Sequence, residues 1–205
     1  MNISRTLCHF LLSFLGTVVL AGCLGKTPTV IYYTLSPAQY AVAERVTPTT
    51  ADLAVGIGPV RFPDELDRSG IVTRSGNNRL DVDEYRRWGG SLEKHVTRVL
   101  EENLSSLLDT NRVMARPWEK HFNPIVRLTL DFRRFDGRLG EYAILDVTWM
   151  LVDPEGDVAP WIQRTKIQEA VSDTGYDALV AAQNCALSQL SKEIALVIAQ
   201  RAGNR

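Results

Sequence analysis

Among the side chains of this sequence that could do covalent chemistry, the thiol of Cys23 has the most informative surroundings. It closes the run Leu20-Ala21-Gly22-Cys23. A leucine and two small residues ahead of a cysteine form the bacterial lipobox. The sulfur takes a diacylglycerol, and the small residues let a peptidase hold the extended backbone in a narrow cleft. The other reactive groups lack such company. Cys8 would leave with the segment before Cys23, so Cys185 has no partner for an internal disulfide. Alone in an oxidising compartment, it is expected buried and inert on a helix. His95 and His121 do not fall into a metal-binding spacing such as His-Glu-x-x-His. Asp64, Glu65 and Asp67, and likewise Asp81, Asp83 and Glu84, lack the glycine and terminal glutamate of a calcium loop and read as solvated turns. Gly56-x-Gly58 runs into Pro59 instead of a helix start, so it is no dinucleotide fingerprint. No catalytic set, cofactor or metal site is expected.

The elements around Cys23 support its reading. Arg5 precedes an apolar run from Leu7 to Leu20, interrupted by His9 and small residues. Roughly 14 residues is short for a bilayer span, which needs about 20, but suits the core of an export signal. The sequence therefore divides into a signal at 1–22, a lipidated tether at 23–29 and one periplasmic domain at 30–205. Acyl chains stabilise membrane attachment by about 0.8 kcal/mol per buried CH₂, so several chains on Cys23 make a firm anchor. In enterobacterial-type sorting an Asp after the cysteine retains a lipoprotein at the inner membrane. Leu24 stands there instead, which favours the periplasmic face of the outer membrane over the inner one.

Composition narrows the class further. The chain has 23 basic and 24 acidic residues, interspersed, for a net charge of −1. A nearly neutral chain without a basic stretch lacks the footprint of nucleic-acid binding, so no nucleic acid is expected as partner.

Downstream, Val30 to Leu35 is rich in β-branched and aromatic residues and predicts a strand. Gln39 to Asp52, with Thr47-Pro48-Thr49-Thr50, reads as a loop. Leu53 to Phe62 predicts a second strand, with a bulge or sheet edge at Gly56, Gly58 and Pro59. Ile71–Arg74 and Arg79–Val82 flank the turn Ser75-Gly76-Asn77-Asn78 and predict a hairpin. Leu92, Val96, Val99, Leu100, Leu104, Leu107 and Leu108 recur at helical steps, with Ser91 as N-cap. Val113 to Arg116 fits a short strand. Val126, Leu128, Leu130 and Phe132 alternate with polar residues, and Asp136-Gly137 is expected to turn that strand. Tyr142 to Val152 and Trp161 to Glu169 complete a meander. Thr174 is expected to open a last helix whose stripe is Tyr176, Leu179, Val180, Leu187, Leu190, Ile194 and Val197, with Cys185 among its small sheet-facing residues. The fold class is α+β: a mostly antiparallel sheet with two long helices packed on one face.

Leu66, Asp67, Arg68, Ile71, Arg74 and Trp88 mix apolar, aromatic and charged side chains in the loop-and-hairpin region. Arg and Trp favour interface centres, so these six are candidate partner-binding residues. The plainer alternative is that Arg68 or Arg74 pairs with Asp67 or Asp81 to brace the fold.

Several runs coincide in order along the chain. They are the lipobox, Tyr32-Tyr33-Thr34-Leu35-Ser36-Pro37, Val55-Gly56-Ile57-Gly58-Pro59-Val60, Leu66-Asp67-Arg68 and Ile71-Val72-Thr73-Arg74. Arg87-Trp88, Arg98-Val99-Leu100-Glu101-Glu102-Asn103-Leu104 and Phe135-Asp136-Gly137 follow. In these the sequence resembles the PqiC family, the auxiliary lipoprotein component of ABC-type transport systems. The resemblance covers nearly the whole chain after Cys23. Glu65 departs from it, standing where an aromatic is common. The resemblance implies a non-enzymatic subunit, as a possible homo-oligomer, beside an MCE-domain tunnel protein and an inner-membrane transporter permease. Such systems move lipids or hydrophobic molecules between the membranes and support envelope integrity. The rival expectation is a stand-alone lipid-binding carrier, which requires a hydrophobic cavity of several hundred Å³.

Overall fold

The computed structural model of the protein describes residues 28–46, 53–156 and 159–202. Cys23, the rest of the lipobox and the run Thr47-Pro48-Thr49-Thr50 lie outside the described residues.

The chain forms β1 (Ile31–Tyr33), a 3₁₀ turn (Val42–Glu44), β2 (Val55–Arg61), β3 (Gly70–Arg74), β4 (Leu80–Trp88) and α1 (Leu92–Leu107). Then come β5 (Val113–Ala115), β6 (Val126–Arg138), β7 (Tyr142–Val152), β8 (Trp161–Ala170) and α2 (Tyr176–Ala202). The architecture is α+β, as expected. The strands divide into two mixed sheets, one of three strands in the order β1-β4-β3 and one of five in the order β5-β2-β6-β7-β8. The meander β6-β7-β8 and the hairpin β3-β4 are antiparallel. The contacts β1–β4, β2–β5 and β2–β6 are parallel. Parallel neighbours require crossovers, and α1 supplies one by lying between β2 and β5 in the chain.

Both helices cover one face of the five-stranded sheet. In β7 the inward residues Ala143, Leu145, Val147, Trp149 and Leu151 are all buried, matching the alternation seen in the sequence. Opposite them lie Val96, Val99, Leu100, Leu104 and Leu107 of α1 and Leu179, Leu187, Leu190, Ile194 and Ile198 of α2. One hydrophobic cluster runs through the sheets and both helices, from Leu35 to Ala202.

Three local expectations change, and one pair of alternatives resolves. First, Asp136-Gly137 does not turn β6. The strand shifts register between Phe132 and Arg134 and continues to Arg138, with the turn around Gly140 (φ 71°). A left-handed backbone suits glycine, whereas Asp136 is fully buried and cannot occupy a solvated turn. Second, Gly58 (φ 125°) does mark a register shift between Ile57 and Val60, but β2 lies inside the sheet, between β5 and β6. Third, α2 begins at Tyr176, so Gly175 precedes it instead of Thr174, and the Gly175 N–H donates to Asp173 Oδ1 at 2.6 Å. Ser91 does sit at the N-cap of α1, though its side chain makes no capping bond. Fourth, Cys185 is exposed. The small residues that meet the core are Ala178, Ala182, Ala186 and Ala195, and Cys185 falls on the opposite side of the turn.

A polar seam fastens the segment after β1 across the two helices. Asn103 Oδ1 accepts from the Ala38 N–H (2.9 Å), and Asn103 Nδ2 donates to Ser191 Oγ (3.0 Å). Arg98 Nη2 donates to the Leu35 carbonyl at 2.6 Å. Asn103 is almost wholly buried, so Asn103→Leu strands the Ala38 amide. The expected loss is about 1–3 kcal/mol in equilibrium unfolding, and a change inside experimental error would show that the seam adds nothing.

Candidate functional site

The two sheets meet where β3 lies against the far end of β6, beyond the last residue of β6 that pairs with β2. Two polar clusters form this joint. Asp136 of β6 is fully buried and takes two arginines. Arg74 Nε donates to Oδ2 at 3.0 Å from β3, and Arg134 Nη2 donates to Oδ1 at 2.6 Å from within β6. The register shift at Arg134 positions this second guanidinium. After it, Phe135 resumes the inward apolar row, and Phe62 stacks on Phe132 at 4.4 Å between centroids. The strong charge-assisted bonds satisfy a carboxylate that could not otherwise be buried. Hydrogen bonding to the carboxylate raises the Arg134 pKa against the opposing effect of burial.

The second cluster ties α2 to the small sheet. Tyr33 of β1 packs against Tyr176 at the start of α2, with ring centroids 6.3 Å apart. Asp83 accepts from the backbone N–H groups of Tyr85 (2.7 Å) and Arg86 (2.8 Å), and from the Tyr176 hydroxyl. Burial disfavours the charged form of Asp83, but these three donors outweigh it and hold the pKa below the usual value. Burial first, then the bond to Asp83, pushes the Tyr176 pKa up to about 12. The fold therefore holds the neutral phenol. Its contribution to stability is whole below the unfolded value of 10.0 and is lost as pH rises through about 12. Stability of the natural protein should fall across that window, beyond the fall shown by Tyr176→Phe. Denaturant unfolding at stepped pH checks it, and parallel slopes in the two proteins would refute it.

The six candidate residues end in three different situations. Leu66, Ile71 and Trp88 are core residues, 2%, 0% and 4% exposed. Their side chains pack within the domain. Arg74 braces the fold, but its partner is Asp136 and not Asp67 or Asp81; Asp81 instead pairs with Arg79 at 3.4 Å. Only Asp67 and Arg68 of the six are exposed. Sequence reasoning missed Asp136, Arg134 and Tyr176 as members of the joint. Alternation of Arg134, Asp136 and Arg138 with Phe135 is the signal that could have found the first two.

His95 packs edge-on against Trp88, with centroids 6.2 Å apart, while His121 is exposed. Burial lowers the His95 pKa, aided by the charge of Arg98. Among the described residues no group of three or more His, Cys, Asp and Glu is placed to hold a metal ion. One cleft, of about 770 Å³, is open and lined by charged residues including Arg45, Arg98, Glu101, Glu102 and Asp109. A cleft of about 400 Å³ beside Cys185 is lined by Asn184, Ser188, Gln189 and Lys192. A third cleft, of about 330 Å³, is the most apolar of the three, with Ile57, Pro59, Val60 and Ala115 in its lining beside Arg98 and Arg116, and like the others it is open to solvent.

Fold and joint together define a scaffold of the α+β class, in which the buried polar groups lock sheet to sheet and sheet to helix. More particularly, the chain belongs to the family of ABC-type transport auxiliary lipoprotein components, which matches residues 33–195. The resemblance drawn from the ordered motifs was to auxiliary components of this kind. In fold the chain is similar to a crystal structure of an uncharacterized protein, with a TM-score of 0.66 at 22% identity over 83% of this chain and 99% of that one. It is also similar to a protein from Xanthomonas campestris, with a TM-score of 0.57 at 20% identity over 86% of this chain and 100% of that one. At such identities the likeness is one of fold. Among curated proteins none matches in sequence.

Proposed function

We propose that this protein is a non-enzymatic lipoprotein subunit of a trans-envelope lipid transport system of the MCE and ABC type, supporting outer-membrane integrity. The observation that carries this reading is the family match across residues 33–195, set behind a lipobox at Cys23. Acyl chains on Cys23 hold the protein on the periplasmic face of the outer membrane, and an exposed face docks the MCE-domain tunnel protein that connects to the inner-membrane permease. It acts by binding, as a homo-oligomer if several copies surround one tunnel.

Capture of the full lipidated protein from detergent extract tests the reading. Co-purification of an MCE-domain protein and its permease is the expected result, and an extract rich in those proteins that yields neither refutes it. Of the sequence candidates, Asp67 and Arg68 are free to touch a partner. Arg68→Ala should weaken capture about tenfold, equivalent to about 1.4 kcal/mol, without moving the thermal midpoint. Undiminished capture would remove Arg68 from the interface.

A further inference from the structure

We propose that the outer face of the small sheet, carrying Tyr32, Arg87 and Val82, rests on the lipid surface to which the protein is anchored. The inference rests on lipidation of Cys23. It goes beyond that reading by naming which face of the domain meets the bilayer.

Three observations converge on this face. First, it is exposed and apolar at the strand nearest the anchor: Tyr32 of β1 is 66% exposed, and Val30, two residues before it and so on the same side, is 36% exposed. β1 is an edge strand, paired on one side only, with β4. Second, register groups these residues with a cation. Tyr32 lies beside Arg87, and Gly70 lies beside Arg87 on its other flank. Val82 Cγ1 sits 2.8 Å from where a Cβ on Gly70 would be, so Val82, 49% exposed, belongs to the same face. The Arg87 Nε–H donates to the Glu84 carbonyl at 2.7 Å, and its guanidinium makes no ion pair among the described residues. A tyrosine between aliphatic residues, next to an unneutralised arginine, suits the headgroup level of a bilayer. There the ring meets both apolar and wet surroundings, and the cation meets lipid phosphate.

Third, the length of chain between anchor and strand keeps this end of the molecule near the lipid. Val30 follows Cys23 by seven residue steps. At full extension each step spans at most ~3.3–3.6 Å, so Val30 stays within about 25 Å of the acylated sulfur. That is comparable to the width of a small domain. So short a tether presents this end of the molecule to the lipid at high effective concentration, and contacts too weak to bind membrane alone become populated.

The test uses the full lipidated chain in vesicles of phosphatidylethanolamine and phosphatidylglycerol. A spin label is placed at position 32 (Tyr32→Cys with Cys185→Ser) and, in a second sample, on the other sheet (Ile162→Cys with Cys185→Ser). Both positions are 66% exposed, so neither cysteine disturbs the core. Collision rates with oxygen, which partitions into lipid, and with a water-soluble nickel complex report depth. The label at 32 should show an oxygen-to-nickel ratio severalfold above that at 162. Equal, aqueous ratios on protein whose Cys23 is acylated by mass would overturn the membrane contact and leave the anchor standing. Unmodified Cys23 would overturn both. Immobilisation at 32 without oxygen contact would mean that a protein covers this face, and would overturn the proposal as well.

Discussion

Asp136→Ala should lower the unfolding free energy by about 3–5 kcal/mol, the scale for removing one partner of a buried ion pair. The carboxylate is fully buried, and the two guanidinium groups that hold it, Arg74 and Arg134, are 19% and 25% exposed in their side chains. Deleting it leaves two cations facing each other across the joint, with water reaching each only in part. Arg74→Ala should cost less, because Arg134 still neutralises Asp136. The decisive control replaces the whole cluster: Asp136→Leu with Arg74→Met and Arg134→Leu. Apolar groups of similar size can substitute for a buried ion cluster with little loss, so the triple variant should recover most of the stability lost by Asp136→Ala. Equilibrium denaturation of the three proteins reads this directly. A loss under 1 kcal/mol for Asp136→Ala would mean that solvent reaches the joint and that the sheets are held by apolar contacts alone.

Trp149→Ala should be as damaging, again about 3–5 kcal/mol. Trp149 is fully buried in the middle of β7, under α2. Its Nε1–H donates to Thr165 Oγ1 at 2.9 Å, and the Thr165 hydroxyl donates to Glu193 Oε2 of α2 at 2.9 Å. Gln163 Nε2 donates to the other oxygen of Glu193. The indole therefore fills the core and also begins a polar chain that fixes the last helix against the sheet edge. Trp149→Phe separates the two effects. It keeps most of the apolar volume and loses the donor, so a smaller cost of about 1–2 kcal/mol is expected from the unmade bond and the missing ring. Equal losses for Phe and Ala would mean that the hydrogen-bonded chain, and not the volume, dominates.

Much of the fold was legible because its elements carry their own periodicity. α1 repeats apolar residues at helical steps, and β7 carries an apolar residue at every second position from Ala143 to Leu151. β6 was legible only as far as Phe132, since the register shift at Arg134 exchanges the two faces and the Asp-Gly pair imitates a turn. For Asp136, tertiary context overrode local preference: two arginines, one of them 62 positions earlier, make burial tolerable for an acid that alone would stay in water. Cys185 erred the other way. Its small neighbours marked a close-packed helix, but a helix of small residues has a weak stripe, and which side faced the sheet was settled by Leu187, Leu190 and Ile194.

The sequence by itself determined the α+β class, the two helices and the order of strands, because each depends on residues close together in the chain, and its lipobox at Cys23 is the basis of the proposed anchor. The tertiary structure alone decided the division into two sheets, the parallel placement of β1 and β2, and the arginine–aspartate joint. It also decided which of Leu66, Asp67, Arg68, Ile71, Arg74 and Trp88 reach the surface. Those features depend on pairings between distant segments, whose free energy comes from burial and charge compensation that no local pattern records.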